Sequence, residues 1–416
     1  MSTQAVILAG GKGTRSADPT RPKLCQEIAG DSLLQWHLRL LAQSSIGNVT
    51  IVAGYLGDQV ADLVGKVDTY GCSVTVIQER EQKGTVTATR LAAEQTAADS
   101  FLVILGDVLL SLPLDRFIRE WGASQKSVAV VTHPSTHPED SDAVIELPYG
   151  RVQVIPKTGD RQGIPNMSSA GLFAISRTGL DKYVNTVDLG SNLIEACASE
   201  NDLFAYVSSH YLKDTGTPER LSAASQDVHS GAFARRGSLD LRPAMFLDRD
   251  GVINPTAPEY YSPEAYELLP GVADAIRNIN GKGVPTFVVT NQPGIAKGFM
   301  TFEDHHQVRA AMDRLLARQG AFVDDYAYCP HHPDKGFIGE RAELKIECLC
   351  RKPAPGMLVS LAEKHGIDLS RSVLVGDSNR DEGAARQAGT SFIRVEGDSE
   401  IASSRAIQSA LKVVAC

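Results

Sequence analysis

The chain has 416 residues, too long for one ordinary hydrophobic core, so two domains are expected. Its 43% hydrophobic and 22% charged residues are ordinary for a soluble globular protein, and a formal charge of −9 leaves no basic stripe for nucleic acid. The Met-Ser-Thr-Gln start shows no signal peptide, apolar runs are too short to span a bilayer, and seven cysteines then suggest reduced thiols in a cytoplasm.

From the amino end, Gln4 to Leu8, Val49 to Ala53, Ser73 to Gln78 and Phe101 to Leu105 are short β-rich runs. Longer amphipathic pieces such as Leu33 to Gln43 separate them. Such alternation predicts a parallel sheet covered by helices. The first strand runs into Ala9-Gly10-Gly11-Lys12-Gly13-Thr14-Arg15. Glycines let a backbone fold tightly and turn its N–H groups onto phosphate oxygens, as a nucleotide-binding turn requires. A Walker loop is excluded because Gly13 follows Lys12, and a dinucleotide fingerprint because Ser16 replaces the third glycine. Arg15 and Arg21-Pro22-Lys23 add cations suited to a triphosphate.

Leu-Ala-Gly-Gly-x-Gly-Thr-Arg followed by Pro-Lys resembles the sugar-1-phosphate nucleotidyltransferases, over about residues 1 to 228. Gly84-Thr85, Gly106-Asp107 and Asp214-Thr-Gly-Thr-Pro218 are further matches. The resemblance implies a Rossmann-like fold and nucleotide contacts from Gly10, Gly11, Gly13, Thr14, Arg15, Lys23, Gly84 and Thr85. It also implies that Asp107 and Asp214 hold Mg²⁺ against the nucleotide and sugar phosphates; a helix-capping turn is the other reading of Asp107. Departures from the family pattern are Ser16, Lys83 before Gly84, and Pro156 before Lys157.

Ser230 to Arg242 has no clear period, and the division expected is a first domain 1–229, a linker 230–243 and a second domain 244–416. The alternation then restarts. Ala244 to Leu247, Pro285 to Thr290, Ser372 to Val375 and Ser391 to Val395 read as strands; Ala273 to Asn280, Phe302 to Gln319 and Met357 to His365 read as helices. The first of these strands ends in Asp248-Arg-Asp250-Gly. Open parallel sheets place their chemistry at such carboxyl ends. One carboxylate can attack while the other handles protons, with a divalent cation screening both. A calcium loop also opens Asp-x-Asp, but Val252 and Ile253 fill places where it needs an oxygen ligand and a glycine.

Three more elements follow: Thr290-Asn291 with a hydroxyl and an amide for phosphate oxygens, Arg351-Lys352-Pro353 with positive charge, and Gly376-Asp377-Ser-Asn-Arg-Asp381 with a third carboxylate. Cys329-Pro-His331-His332-Pro and Cys348-Leu-Cys350 offer three thiolates and one imidazole, which satisfy tetrahedral Zn²⁺ with no open position, so a structural role is expected. A disulfide would leave one cysteine odd. Spacing does not choose between His331 and His332.

This ordered set resembles the haloacid dehalogenase superfamily of phosphohydrolases, over about residues 243 to 400. The resemblance implies an α/β Rossmannoid fold with a zinc loop. By it Asp248 is the nucleophile, Asp250 the acid and base, and Thr290 and Lys352 the phosphoryl holders. Asp248, Asp377 and the backbone carbonyl of Asp250 form the Mg²⁺ site, and His331 is the zinc ligand beside Cys329, Cys348 and Cys350. Asp381 reads equally as an orienter or a helix cap. Phe-Leu-Asp-Arg-Asp-Gly-Val-Ile-Asn, Thr-Asn-Gln-Pro-Gly-Ile-Ala, Cys-Pro-His-His-Pro and Cys-x-Cys-Arg-Lys-Pro are similar to the heptose 1,7-bisphosphate 7-phosphatases; histidinol-phosphate phosphatases share most of them. That similarity implies that Arg351 and Asn291 help choose the sugar.

The fusion discriminates, because a heptose bisphosphate phosphatase leaves the heptose 1-phosphate that a nucleotidyltransferase accepts. The expectation is a bifunctional enzyme of nucleotide-heptose synthesis for surface polysaccharide, acting on small-molecule substrates with GTP as the nucleotide donor by analogy. A mannose- or glucose-type transferase fused to another phosphatase, or a first half that binds nucleotide without turnover, are the alternatives. A homo-oligomer is compatible with the sequence.

Overall fold

The computed structural model describes residues 2–11, 18–147, 150–161, 163–256, 262–397 and 401–414. The expected loop residues Gly13, Thr14 and Arg15 lie outside them. The chain divides into two compact units. The first comprises Met1–His133, Glu139–Gly159 and Met167–Leu239; the second comprises Pro134–Pro138, Asp160–Asn166 and Asp240–Cys416.

In the first unit the strands are β1 (Thr3–Ala9), β2 (Asn48–Ala53), β3 (Ser73–Gln78), β4 (Ser100–Leu105), β5 (Val108–Ser111), β6 (Val128–His133), β7 (Ala143–Leu147), β8 (Arg151–Ile155), β9 (Ser168–Ser176), β10 (Leu203–Val207) and β11 (Tyr211–Asp214). The sheet runs β8-β7-β9-β4-β1-β2-β3, with β6 on β9 and β10 on β6. Strands β1 to β4 are parallel, as the alternation predicts, but β9 runs antiparallel to β4 and β6. The sheet is therefore mixed rather than parallel. Strands buried on both faces, such as Ala5-Val6-Ile7, carry the unbroken apolar run that two helical layers demand. Helix Leu33–Leu41 starts at a capping box in which Ser32 and Gln35 satisfy each other's backbone, and its Leu33, Leu34, Leu38 and Leu41 enter the core. A separate pair, β5 with β11, sets Asp214 opposite Val108, so the ends of these strands bring Asp107 and Asp214 to one place.

The expected linker is in part helix. Ala232–Arg236 folds within the first unit, and Phe233 packs edge-on to Trp36 at 5.0 Å and Tyr211 at 4.9 Å. A single aromatic anchor leaves no periodic trace in the sequence.

The second unit holds a five-stranded parallel sheet of β12 (Met245–Leu247), β13 (Thr286–Asn291), β14 (Asp325–Cys329), β15 (Val373–Gly376) and β16 (Ser391–Arg394), in the order β14-β13-β12-β15-β16. Strand β12 is central, only three residues long and fully buried. Helices Val272–Gly281, Phe302–Ala317, Gly356–His365, Asn379–Ala388 and Ala402–Val414 cover it. In register Leu247 lies between Val288 and Val375, so Asp248, Thr290 and Asp377 all leave the same sheet edge.

Candidate functional site

The centre of the second unit is the Lys352 ammonium, 2% exposed. It lies 2.9 Å from Asp248 Oδ1 and 2.5 Å from Asp381 Oδ1, and donates to Val289 O at 2.8 Å. A cation this deep persists only because two carboxylates and a carbonyl replace its water. Burial disfavours its charge, but Asp248 and Asp381 outweigh that and raise its pKa. Burial pushes the Asp248 carboxyl up; Lys352 opposes the shift and Asp381 adds to it. Burial acts on Asp381 in the same sense, yet Lys352 and the Ser378 hydrogen bonds prevail and hold it below the usual carboxylate range. Asp381 is the capping-box partner of Ser378, as the helix-cap reading has it, and it also pairs with Lys352.

Carboxylate oxygens of Asp248, Asp377 and Asp381 all lie within 4.8 Å of one another. Gly251 makes room for this group: its φ is +84°, and a side chain there would overlap the Asp377 carboxylate. The Asp250 carboxylate is held by a different set of partners. Its oxygens accept from Arg249 Nε at 3.0 Å and Nη2 at 2.9 and 3.0 Å, from Asn254 Nδ2 at 3.0 Å and from Gln292 Nε2 at 2.8 Å. Arg249, Asn254 and Gln292 escaped the sequence reading. The available signal was Arg249 itself, since a guanidinium at the end of a buried strand needs an acid within reach.

Thr290 is 1% exposed and is reached by Gln292 Nε2 at 2.9 Å. Asn291 departs from expectation. Its amide, expected to face phosphate oxygens, is engaged at both ends by the Lys352 backbone: Nδ2 donates to Lys352 O and Oδ1 accepts from Lys352 N, each at 3.0 Å. The geometry has Asn291 holding Lys352 in place. Arg351 is half-buried and donates to His331 O at 3.2 Å.

Cys329, His331, Cys348 and Cys350 offer ligand atoms within 4.8 Å of one another. Cys348 Sγ is 3.5 Å from Cys329 Sγ and 3.3 Å from Cys350 Sγ, and His331 Nδ1 is 3.3 Å from Cys350 Sγ. These separations are far beyond the roughly 2.05 Å of a disulfide, and all three cysteines are free. His332 instead stacks edge-on against Phe337, with Nε2 3.8 Å from Asp334. Three sulfurs and one nitrogen converging on a point is the donor set of a closed Zn²⁺ site.

In the first unit Lys23 Nζ donates to Asp107 Oδ2 at 2.6 Å. Lys23, Asp107 and Asp214 all reach within 3.6 Å of where a Gly216 Cβ would stand. Asp214 also accepts from Gly216 N at 2.5 Å and from Arg220 Nη1 at 2.7 Å, and Arg220 pairs in turn with Asp140. Gly10 leaves the end of β1 beneath Glu79; a Cβ there would stand 2.8 Å from Glu79 Oε2, so a side chain at this position would displace that carboxylate. Gln82 donates to Gly10 O, and Gly11 meets nothing within 4 Å of its Cβ position. Gly84 and Thr85 pack against another loop: Val86 N bonds Val187 O at 2.9 Å, while Thr85 Oγ1 accepts from Leu189 N at 2.7 Å and bonds Asp188 at 3.2 Å. Of the expected nucleotide contacts, the structure joins Lys23 to the aspartates and places Gly84-Thr85 as an anchor of residues 187–189.

Two family models match this chain. A MobA-like NTP transferase domain covers residues 5–224, and a HAD-hydrolase-like domain covers residues 349–413. The D-glycero-beta-D-manno-heptose-1,7-bisphosphate 7-phosphatase of Rhodopseudomonas palustris is 41% identical over 157 residues, which are 38% of this chain and 85% of that protein. The protein of the same name from Escherichia coli K12 is 41% identical over 143 residues, 34% of this chain and 73% of that protein. The solved structure of HddC from Yersinia pseudotuberculosis, complexed with GMP-PN, is 22% identical with a TM-score of 0.46, covering 55% of this chain and 100% of that one. The chain therefore belongs to the MobA-like NTP transferase family through its first half, and to the family of those heptose-bisphosphate phosphatases through its second.

Proposed function

We propose that the chain is a bifunctional enzyme of nucleotide-heptose synthesis. Its second unit hydrolyses the 7-phosphate of D-glycero-D-manno-heptose 1,7-bisphosphate, and its first transfers a nucleotidyl group, GMP from GTP, to heptose 1-phosphate with release of pyrophosphate. The observation that carries the reading is the buried Lys352 between Asp248 and Asp381 at the end of a central strand, in a segment 41% identical to such phosphatases. Asp248 Oδ attacks phosphorus while the bond to the sugar oxygen breaks, and Asp250 gives that oxygen a proton. Asp250 then takes a proton from the water that cleaves the aspartyl phosphate. Lys352 and Thr290 hold the phosphoryl oxygens, Asn291 fixes Lys352, and Arg351 meets the sugar at the mouth. In the first unit Lys23 balances phosphate charge beside Asp107 and Asp214, and the Gly10-Gly11 backbone approaches the nucleotide.

The carboxylates of Asp248 and Asp377 with the carbonyl of Asp250, and those of Asp107 with Asp214, would hold Mg²⁺, which supplies charge neutralisation at each phosphorus. Cys329, His331, Cys348 and Cys350 would hold a structural Zn²⁺. Reduced thiols and a cytoplasmic setting belong to the same reading; among the described residues no helix is long and apolar enough to cross a membrane.

The test is substrate choice. Phosphate release from the α- and β-anomers of heptose 1,7-bisphosphate should exceed that from histidinol phosphate by at least about a hundredfold in kcat/KM, on the order of the 3 kcal/mol that a site built for one ligand commands. Pyrophosphate release from GTP should require heptose 1-phosphate. Preference for histidinol phosphate would overturn the first half of the proposal, and absence of pyrophosphate release the second.

A further inference from the structure

Gln292 stands one residue past the end of β13, tied down by its own N–H to Cys329 O at 2.8 Å, and is 6% exposed. Its Nε2 reaches two groups, Asp250 Oδ2 at 2.8 Å and Thr290 Oγ1 at 2.9 Å. A primary amide nitrogen carries two hydrogens, and the geometry uses one for each partner. The orientation of the amide follows from its surroundings, because the opposite one would set Oε1 against a carboxylate oxygen that already accepts from Arg249 Nη2.

Two consequences follow. The Thr290 hydroxyl receives a hydrogen bond from Gln292, so its own hydrogen is left to a different acceptor. The Asp250 carboxylate, already met by Arg249 and Asn254, receives its last donor from the same amide that touches Thr290. Among the described residues, neither Arg249 nor Asn254 bonds Thr290 as well.

We infer that Gln292 is a positioning residue of the phosphatase site, which ties the proton-handling carboxylate of Asp250 to the phosphoryl-holding hydroxyl of Thr290 through one amide. The inference rests on the reading of Asp250 given above. When the sugar–oxygen bond to phosphorus breaks and the Asp248–phosphorus bond forms, the proton passes from Asp250 to the departing oxygen; Gln292 keeps those two events in one geometry without touching either.

The experiment compares leaving groups in the full chain with Mg²⁺ supplied. An alkyl phosphate such as the heptose bisphosphate needs a proton on its departing oxygen, whereas p-nitrophenyl phosphate leaves as a stable phenolate. Gln292→Met keeps the volume and removes both donors. It should lower kcat/KM for the alkyl ester by roughly a hundredfold and for the aryl ester by less than about tenfold. Gln292→Asn, a methylene shorter but still a donor, should fall between Gln292→Met and the natural protein and guards against a Met variant that fails to fold. A purely structural role would lower both esters alike, and equal losses or none would overturn the inference. Asp250→Ala separates the two levels. If it shows the alkyl-over-aryl bias and Gln292→Met does not, the inference alone fails; if Asp250→Ala shows no bias, the reading beneath it fails. In the double variant the bias should not grow beyond that of Asp250→Ala, since Gln292 acts through that carboxylate.

Discussion

Lys352 concentrates the electrostatics of the second unit. One ammonium faces two carboxylates in a place where water contributes almost nothing, so losing it leaves two buried acids side by side. Lys352→Met should abolish phosphate release and destabilise the second unit by about 3 kcal/mol or more, the cost of an uncompensated buried charge relieved only by protonation. Calorimetry should show this as a lowered transition. Both tryptophans, Trp36 and Trp121, lie in the first unit, so the transition followed by their fluorescence should be unmoved. Nearby, Asn291 shows how a residue chosen for its chemistry can serve another end: the amide expected to meet phosphate is occupied by the Lys352 backbone.

At the scale of single elements, helix Leu33–Leu41 carries a histidine with no exposed surface. His37 Nε2 contacts Val108 O at 2.7 Å, and burial pushes its pKa from 6.5 down to about 4. The unfolded chain therefore binds a proton that the folded unit refuses between those two values. Stability should be complete above about pH 6.5 and should fall as pH drops toward 4, by up to about 3 kcal/mol in this window. Urea midpoints read from tryptophan fluorescence should fall with pH in the natural protein and fall less steeply in His37→Gln, where the similarly depressed His133 remains. The loop between Cys329 and Lys352 makes a different case. Ile338 and Leu349 are 98% and 82% exposed, so this segment has little apolar core of its own to hold it. Cys329 and His331 meet Cys348 and Cys350 from the two ends of this loop, so a metal ion held there should help to fasten it. Cys348→Ser should take zinc from about one per chain to near zero by elemental analysis, and chelation should lower the second unit's melting temperature while sparing the tryptophan-reported transition.

For the whole molecule, two units with separate cores should fail separately. Asp248→Asn should lower phosphate release by at least about a thousandfold and spare pyrophosphate release, because it removes only the proposed nucleophile. Asp107→Ala should do the reverse. Loss of both activities in either variant would show that the two chemistries depend on each other.

Much of the architecture could be read from the chain because periodicity and strand-end chemistry are local. The apolar run Met245-Phe-Leu ending in Asp248-Arg-Asp250, the strand before Thr290, and Cys-x-Cys beside Arg-Lys-Pro each announce themselves within a few residues. Sheet direction could not be read in this way. The strand Ser168–Ser176 is as buried as the parallel strands of the same sheet, and only its return path makes it antiparallel. The helix at Ala232–Arg236 escaped for a related reason, since Phe233 packs on residues far away in sequence.

By itself the sequence determined which residue types stand at the ends of which strands, because side-chain chemistry and hydrophobic period belong to short stretches of chain. Only the tertiary structure decided how those groups pair: Lys352 with Asp248 and Asp381, His331 rather than His332 with the thiols, and Gln292 between Asp250 and Thr290. A hydrogen bond or ion pair depends on a few ångströms and on direction, and only the packing of one element on another sets either.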